Sequence, residues 1–170
     1  NANRSHFSSQ DYIESGIANK SLPDGWLNRY LSSTQNNNDL RALSFTSLAH
    51  SLQGTYPVIS INNLLPLNKQ LTPSQQTILK NIYNQPQNGE EQAFSLVRKH
   101  GDLALKSMSN LEPFSNSNYT SENGASYPDT LYGQQLKDIA QFIKAGAGLE
   151  IATVSNNGWD HHADQGVAQG

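Results

Sequence analysis

Residues 151–164 read Ile-Ala-Thr-Val-Ser-Asn-Asn-Gly-Trp-Asp-His-His-Ala-Asp, and this stretch predicts both the fold class and the chemistry of the chain. Its first four residues show the apolar alternation of a buried β-strand. The chain then leaves that strand through Asn-Asn-Gly and presents two carboxylates and two imidazoles within five residues. Because α/β proteins bind ligands where their strands end, we expect the chemistry of this chain to lie here.

Asp160 and His162 are the candidate metal ligands of this stretch. If the chain stays extended, Asp160, His162 and Asp164 share one face and His161 lies on the other. A carboxylate and a neutral imidazole on one side suit a divalent ion of the zinc type, with ligand distances of about 2.0–2.2 Å. The alternative is a solvated loop whose Asp and Asn side chains cap a neighbouring helix. Asp-x-His is a short pattern, so spacing leaves both interpretations open.

The composition excludes several classes of protein. The 170 residues suffice for one domain. A net charge of −3 with scattered Lys and Arg disfavours nucleic-acid binding, and the apolar runs are too short to span a bilayer. The absence of cysteine excludes disulfides, a thiolate nucleophile and a Cys-type zinc site. The only methionine is Met108, so we expect residues 1–170 to be a single partial domain of a longer protein.

A predicted helix leads into the predicted strand at the end of the chain, which is half of a βαβ layer and indicates a helix-rich α/β fold. The predicted strands lie at about 41–46, 57–61 and 150–155. Ser8 or Ser9 is the predicted N-cap of a helix over 10–15 that ends at Gly16. Asp24 is the predicted N-cap of a second helix, whose apolar face comprises Trp26, Leu27, Tyr30 and Leu31.

The second half of the chain contains the clearest helix signals. Thr72-Pro73-Ser74-Gln75 forms a capping box for a helix to about Asn84, and its predicted buried face comprises Ile78, Leu79, Ile82 and Tyr83. A longer helix is predicted over 90–110, with Gly101 as a candidate interruption. Residues 111–128 predict a long polar surface loop. A helix over 131–145, capped by Asp129 or Thr130, is expected to bury Leu136, Ile139, Ala140, Ile143 and Ala147.

Several motifs occur together along the chain. Near its start are Asn3-Arg4-Ser5-His6-Phe7, Gln10-Asp11-Tyr12 and Gly25-Trp26-Leu27-x-Arg29-Tyr30-Leu31. Further along are Tyr127-Pro128, Ile143-Lys144-Ala145-Gly146 and Gly158-Trp159-Asp160-x-His162-x-x-Gln165-Gly166. In this order the motifs resemble the DUF1501 family of bacterial proteins, which is commonly found with a twin-arginine export signal. That family is similar to the alkaline phosphatase and sulfatase superfamily.

The resemblance implies an alkaline-phosphatase-like α/β sandwich with a mixed central sheet, in an exported or periplasmic protein. It implies a metal-dependent hydrolase-like site that acts on a small anionic ester, either a phosphate or a sulfate. Ser5 would be the nucleophile and a ligand of a divalent ion such as zinc, and Asp160 and His162 would be further ligands. His6 would orient the substrate or support a ligand.

The competing interpretation is a non-catalytic envelope protein that retains the fold and binds a cell-envelope component, such as a partner protein or a glycan. In that case Ser5 caps the first helix. Asp11 and Glu14, as acidic residues in a first helical turn, would interact with the helix dipole. His50 and His100 show no partner in the sequence and are predicted to be surface residues.

Overall fold

Three short parallel strands form the sheet of this molecule, namely β1 (Ala42–Phe45), β2 (Ile59–Ile61) and β3 (Ile151–Thr153), in the order β2-β1-β3. The computed structural model describes residues 5–18, 23–36, 38–64, 71–84, 92–115 and 117–158. The prediction of three strands is confirmed, although each strand is shorter than predicted. All described strands are parallel, whereas the resemblance implies a mixed sheet.

Five α-helices accompany the sheet in the described part of the chain, and the fold is a helix-rich mixed α/β fold. They are α1 (His6–Ser15), α2 (Trp26–Ser33), α3 (Pro73–Asn84), α4 (Gln92–Ser115) and α5 (Leu131–Lys144). A single 3₁₀ turn, η1 (His50–Leu52), lies between β1 and β2. No described helix is long and apolar enough to cross a membrane.

The central strand β1 is covered on both faces, because its alternate side chains point in opposite directions. Leu43 and Phe45 lie in one core cluster with Leu111 of α4 and Phe142 of α5. Ala42 lies in a second cluster with residues of α2 and η1, principally Leu31 and Leu52. The described structure therefore has three layers. Helices α4 and α5 cover one face of the sheet, and α2 and η1 cover the other.

Helix ends with clear local signals agree with the sequence. Thr72 and Gln75 form the predicted reciprocal capping box, in which Gln75 N donates to Thr72 Oγ1 at 3.3 Å and Thr72 N donates to Gln75 Oε1 at 2.8 Å. Thr130 caps α5 by accepting a hydrogen bond from Gly133 N at 3.1 Å. Gly16 ends α1 with a φ of 65°, a conformation that glycine adopts without strain.

Two predicted N-caps are wrong. Helix α1 begins earlier than predicted, and its N-cap is Ser5 rather than Ser8 or Ser9. Helix α2 is capped by Gly25 rather than Asp24, without a side-chain hydrogen bond. The reason lies in the close packing of α2 on η1, since a Cβ atom at Gly25 would collide with the backbone of His50 and Ser51. Close approach between two backbones therefore determines this helix start.

The predicted buried faces of α2 and α3 are also partly wrong. Trp26 and Tyr30 are about half exposed, while Asn28 is buried because its amide bonds the backbone of Leu52 and Tyr56. In α3, Ile78 and Ile82 are exposed, because α3 packs on α4 and contributes no described residue to either core cluster.

Helix α4 does not break at Gly101, and it runs on to Ser115 through Pro113. Gly101 is instead a packing position, because a Cβ atom there would collide with the ring of Tyr83 on α3. The predicted loop over 111–128 therefore begins as helix, and Leu111 belongs to the core at 1% exposure. Residues 117–130 contain no helix or strand, and most of their side chains are exposed.

The stripe that the apolar residues of α5 predict is only partly buried, although Ile139 and Ala147 pack against the core. Ile143 is 61% exposed, whereas Phe142 is fully buried. Gln135 and Asp138 are also buried, at the three- and four-residue spacing that places them on the same face as Phe142. These two polar side chains bond the backbone of the segment after β2, and this determines which face of α5 points inward.

Candidate functional site

The predicted nucleophile Ser5 lies at the amino end of α1. Its Oγ accepts a hydrogen bond from Ser8 N at 3.3 Å, and its carbonyl accepts from Ser9 N at 3.0 Å. His6 follows as the first residue of the helix, with an exposed side chain. Ser5 is therefore a capping residue in the described structure. The same position places its hydroxyl at the positive end of the helix dipole, where negative charge is stabilised.

The predicted metal ligands Asp160 and His162 lie outside the described residues, as does His161. Their convergence with Ser5 therefore stays a prediction. Within the described ranges, no group of three His, Cys, Asp or Glu side chains could hold a metal ion. The chain that leads to Asp160 continues from the carboxyl end of β3, and it is described as far as Gly158, whose φ is 94°.

The carboxyl ends of β1 and β2 are adjacent, and the connections that leave them run to opposite faces of the sheet. After β1, residues 46–49 lead to η1 on the face that α2 covers. After β2, residues 62–64 lead towards the helices of the other face, and Leu64 joins the core there. Such divergence of neighbouring connections creates the crevice in which open α/β sheets bind ligands.

A buried hydroxyl, Ser44 Oγ, joins three segments at this end of the sheet. It donates to Ser47 O at 2.8 Å and accepts from Ala49 N at 3.1 Å. Its third contact is Thr153 Oγ1 of β3 at 2.8 Å. Because a hydroxyl has one donor, and Ser44 uses it on Ser47, Thr153 donates in this pair. All the hydrogen-bonding capacity of Ser44 is used in holding β1, β3 and the 46–49 segment together.

Thr46 follows β1 with a φ of 80°, in the left-handed region that non-glycine residues seldom adopt. Two hydrogen bonds to β2 hold it there. Its amide donates to Ile61 O at 2.9 Å, and its carbonyl accepts from Ser60 Oγ at 3.2 Å. Strained backbone of this kind persists only where surrounding contacts impose it, and it concentrates at functional sites.

Asp138 holds the segment after β2 from the opposite face. Its carboxylate is 3% exposed and accepts from Leu64 N at 3.2 Å and from Gln134 Nε2 at 2.8 Å. Burial raises the pKa of Asp138, and these two hydrogen bonds oppose part of that rise. Gln135 Nε2 donates to Asn62 O at 3.0 Å, so two neighbouring side chains of α5 position this segment.

Two acidic residues of α1 have a different role from the one that the sequence predicts. Because α1 begins at His6, Asp11 and Glu14 do not lie in its first turn, and the helix-dipole interpretation is wrong. Glu14 Oε2 instead accepts from Ser51 N at 2.9 Å, and Asp11 Oδ1 lies 3.8 Å from His50 Nδ1. These contacts join α1 to η1, the turn that follows the 46–49 segment.

His50 is half-buried beside Asp11, so the prediction of a surface histidine without a partner is wrong for this residue. His100 is exposed, as predicted. The contacts of His50 and Glu14 could not be predicted from the sequence, because Glu14 and Ser51 are 37 positions apart. No local pattern indicates that the two segments meet.

Arg41 occupies the opposite, amino end of the sheet. Its guanidinium is 1% exposed and binds Glu150 through two hydrogen bonds of 2.8 and 2.9 Å. It also donates to the carbonyl groups of Leu31 and Thr34 at the end of α2, and it lies 5.3 Å from the centre of the Tyr56 ring. These contacts raise the pKa of Arg41 and lower that of Glu150, so the pair remains charged.

No protein-family model, curated protein or solved structure matches this chain.

Proposed function

We propose that this chain comes from an exported, DUF1501-like protein of the alkaline phosphatase and sulfatase type, a metal-dependent hydrolase of phosphate or sulfate esters. One observation supports the proposal most directly. The chain that carries Asp160 and His162 continues from the carboxyl end of β3, in a parallel sheet with helices on both faces. This is the position where α/β proteins bind their ligands.

In this proposal Ser5 is the nucleophile and Asp160, His162 and Ser5 hold the divalent ion. A hydroxyl, a carboxylate and an imidazole form a donor set that suits zinc or a similar metal. When bound, the ion lowers the pKa of a coordinated hydroxyl and neutralises charge on the ester. The amino end of α1 favours negative charge on Ser5 Oγ, and His6, exposed beside it, orients the ester.

The second candidate is a non-catalytic envelope protein that retains this fold. The observation in its favour is the irregular and largely exposed segment 117–130. That segment is held at two points, because Gln141 Nε2 donates to Ser117 Oγ and Lys144 Nζ lies 2.7 Å from Glu122 Oε2. A contact surface of this kind needs neither Ser5 nor a metal ion.

Titration of zinc into the 170-residue chain, followed by calorimetry, tests the metal site. We expect one ion to bind, and Asp160→Asn and His162→Ala each to weaken binding by about tenfold or more, the scale on which even outer-shell partners act. His161→Ala is the matched control, because it removes a neighbouring imidazole from the predicted opposite face. An equal loss in H161A would contradict the proposed ligand pair.

Hydrolysis of p-nitrophenyl phosphate and p-nitrocatechol sulfate, assayed in the protein that carries this chain, tests the role of Ser5. Ser5→Gly removes the hydroxyl but retains a residue that tolerates the N-cap position, so stability should fall by only a few tenths of a kcal/mol. We expect turnover to be lost while Tm is nearly unchanged. Ser9→Ala, one helical turn away, should retain activity. Full activity of S5G would exclude Ser5 as the nucleophile and favour the binding protein.

A further inference from the structure

A groove of about 740 Å³ runs between β2 and α4, and we call it the β2–α4 groove. One wall is a continuous run of eight residues, 56–63, which includes the whole of β2. The other wall is a stripe of α4 at three- and four-residue spacing, comprising His100, Leu103, Ala104, Ser107, Met108 and Leu111. A groove between a strand and one stripe of a helix suits a linear ligand. Its volume lies within the usual range of ligand sites, about 300–1,000 Å³.

Strand β2 lies at an edge of the described sheet, so only β1 pairs with it among the described strands. Thr46 N donates to Ile61 O, which shows that Ile61 directs its backbone groups towards β1. Because alternate residues of a parallel strand direct their amides and carbonyls to opposite sides, Val58 and Ser60 direct theirs away from β1. The groove therefore has a row of backbone donors and acceptors along one wall, at the spacing of an extended peptide.

The charges that line the groove are few and of both signs. Apart from His100, the described lining of the groove contains two residues with a formal charge, Asp39 and Lys106. The Asp39 carboxylate already accepts a hydrogen bond from Asn110 Nδ2 at 3.2 Å. A polyanion would meet Asp39 and a polycation would meet Lys106, so charge complementarity favours a ligand segment without net charge.

We propose that the β2–α4 groove binds an extended, uncharged polypeptide segment of another protein, which adds as a strand to the edge of β2 that faces away from β1 and that no described strand pairs with. Backbone hydrogen bonds to Val58 and Ser60 would give affinity, and contacts with Leu103, Ala104 and Ser107 on α4 would select alternate side chains. The stripe from His100 to Leu111 spans about 16 Å at the rise of an α-helix. That length accommodates about five residues of an extended strand. This inference is independent of the proposed hydrolase site.

Nuclear magnetic resonance titration of the 170-residue chain tests the proposal. The probe is the blocked pentapeptide acetyl-Ser-Val-Thr-Val-Ser-amide, an uncharged segment with high strand propensity. We expect saturable shifts of the Val58 and Ser60 amide resonances, together with those of the α4 stripe. N-methylation of the peptide at alternate residues should abolish binding in one register and leave it nearly unchanged in the other.

Variants of both walls identify the site. Ser60→Pro removes the outward amide and the side-chain hydrogen bond to Thr46, but no backbone hydrogen bond to β1. We expect binding to weaken up to about tenfold, the value of one hydrogen bond. Ser60→Ala is the matched control, because it retains the amide and should bind as the native chain does. On the other wall, Ala104→Trp should block the groove, and Asp102→Trp, an exposed α4 position outside the lining, should not. If S60P fails to fold, the binding of the peptide to A104W shows whether the peptide occupies the groove.

Three outcomes would overturn the proposal. The first is that the peptide leaves the Val58 and Ser60 resonances unshifted up to its solubility limit. The second is that chitohexaose or maltohexaose shifts these resonances and the peptide does not, which would assign the groove to a glycan. The third is a concentration-dependent shift of β2 without any peptide, which would assign the edge to a second copy of this chain.

Discussion

The two ends of the sheet are held by different chemistry. At the amino end, one charged side chain, Arg41, binds Glu150 and the final carbonyls of α2 in a buried cluster. At the carboxyl end, the corresponding centre is a small neutral hydroxyl, Ser44, which bonds Thr153 and the 46–49 segment. Three connections leave from the carboxyl end, and one of them leads to the proposed metal ligands. The ion pair of Arg41 and Glu150 therefore lies at the end of the sheet away from the proposed metal ligands.

Removal of the guanidinium at the amino end should have the largest effect. Arg41→Met removes the guanidinium donor that Glu150 and the carbonyl groups of Leu31 and Thr34 share, and we expect the free energy of unfolding to fall by about 3 kcal/mol. Urea denaturation provides the measurement. Arg41→Lys should lose less, because it retains the charge without the two-bond geometry. A loss below about 1 kcal/mol for R41M would show that the cluster contributes little net stability.

Removal of the hydroxyl at the carboxyl end should have a smaller effect. Ser44→Ala removes the partner of Ala49 N and of Thr153 Oγ1, both of which belong to partly buried residues, and we expect the free energy of unfolding to fall by about 2 kcal/mol. The double variant Ser44→Ala with Thr153→Val removes both hydroxyls of the pair and should lose less than the sum of the single variants. Strict additivity in this cycle would show that the two hydroxyls do not interact.

Removal of the hydrogen bond between Glu14 of α1 and Ser51 of η1 should reduce stability by a still smaller amount. Glu14→Ala removes the acceptor of Ser51 N, and we expect about 1 kcal/mol of local destabilisation. Relative to the native chain, the variant should show faster hydrogen exchange in α1 and unchanged exchange in α5, because the lost contact holds α1 to η1. Glu112→Ala, at an exposed position of α4, is the matched control. Unchanged exchange in α1 would show that other contacts are sufficient to hold this helix.

The smallest expected effect is the pH dependence of stability that comes from Asp138. Its pKa in the folded chain is raised above the ordinary value of 3.8, so the folded state holds this proton more tightly than the unfolded chain. Its contribution to stability is therefore fully present below pH 3.8 and is lost as the pH rises through the folded pKa. Asp138→Asn removes this contribution, while Gln134 is free at the surface to reorient its amide towards the new side chain.

Urea denaturation of both chains between pH 3 and pH 7 is the measurement for this prediction. The native chain should lose stability relative to D138N as the pH rises from acid to neutral. A difference between the two chains that does not change with pH would contradict the raised pKa.

Features that depend on a few neighbouring residues could be predicted from the sequence. The capping box at Thr72 and Gln75, the cap at Thr130 and the end of α1 at Gly16 each need only local chemistry. The strand predicted over 150–155 followed from its apolar alternation. Local signals also predict a helix close to Ser5, although α1 begins at His6, before the predicted N-cap Ser8 or Ser9.

The faces of the helices could not be predicted in the same way. Gln135 and Asp138 turn inward because they bond the segment after β2, more than 70 positions away in the sequence. Asn28 is buried because it bonds the backbone of Leu52 and Tyr56. In each case a polar side chain satisfies distant backbone groups, and a pattern of apolar residues contains no information about that contact. The role of Asp160 and His162 stays a prediction.

The sheet also implies an order in which the chain folds. Thr46 and Ser60 of the β1–β2 pair are 14 positions apart, whereas Ser44 and Thr153 of the β1–β3 pair are 109 positions apart. Closing the longer loop costs about 2 kcal/mol more in chain entropy. During synthesis on the ribosome, β1 and β2 can pair while α3, α4 and α5 are still being made. When β3 pairs, Arg41 binds Glu150 and Ser44 binds Thr153, so both ends of the sheet are completed in one late step.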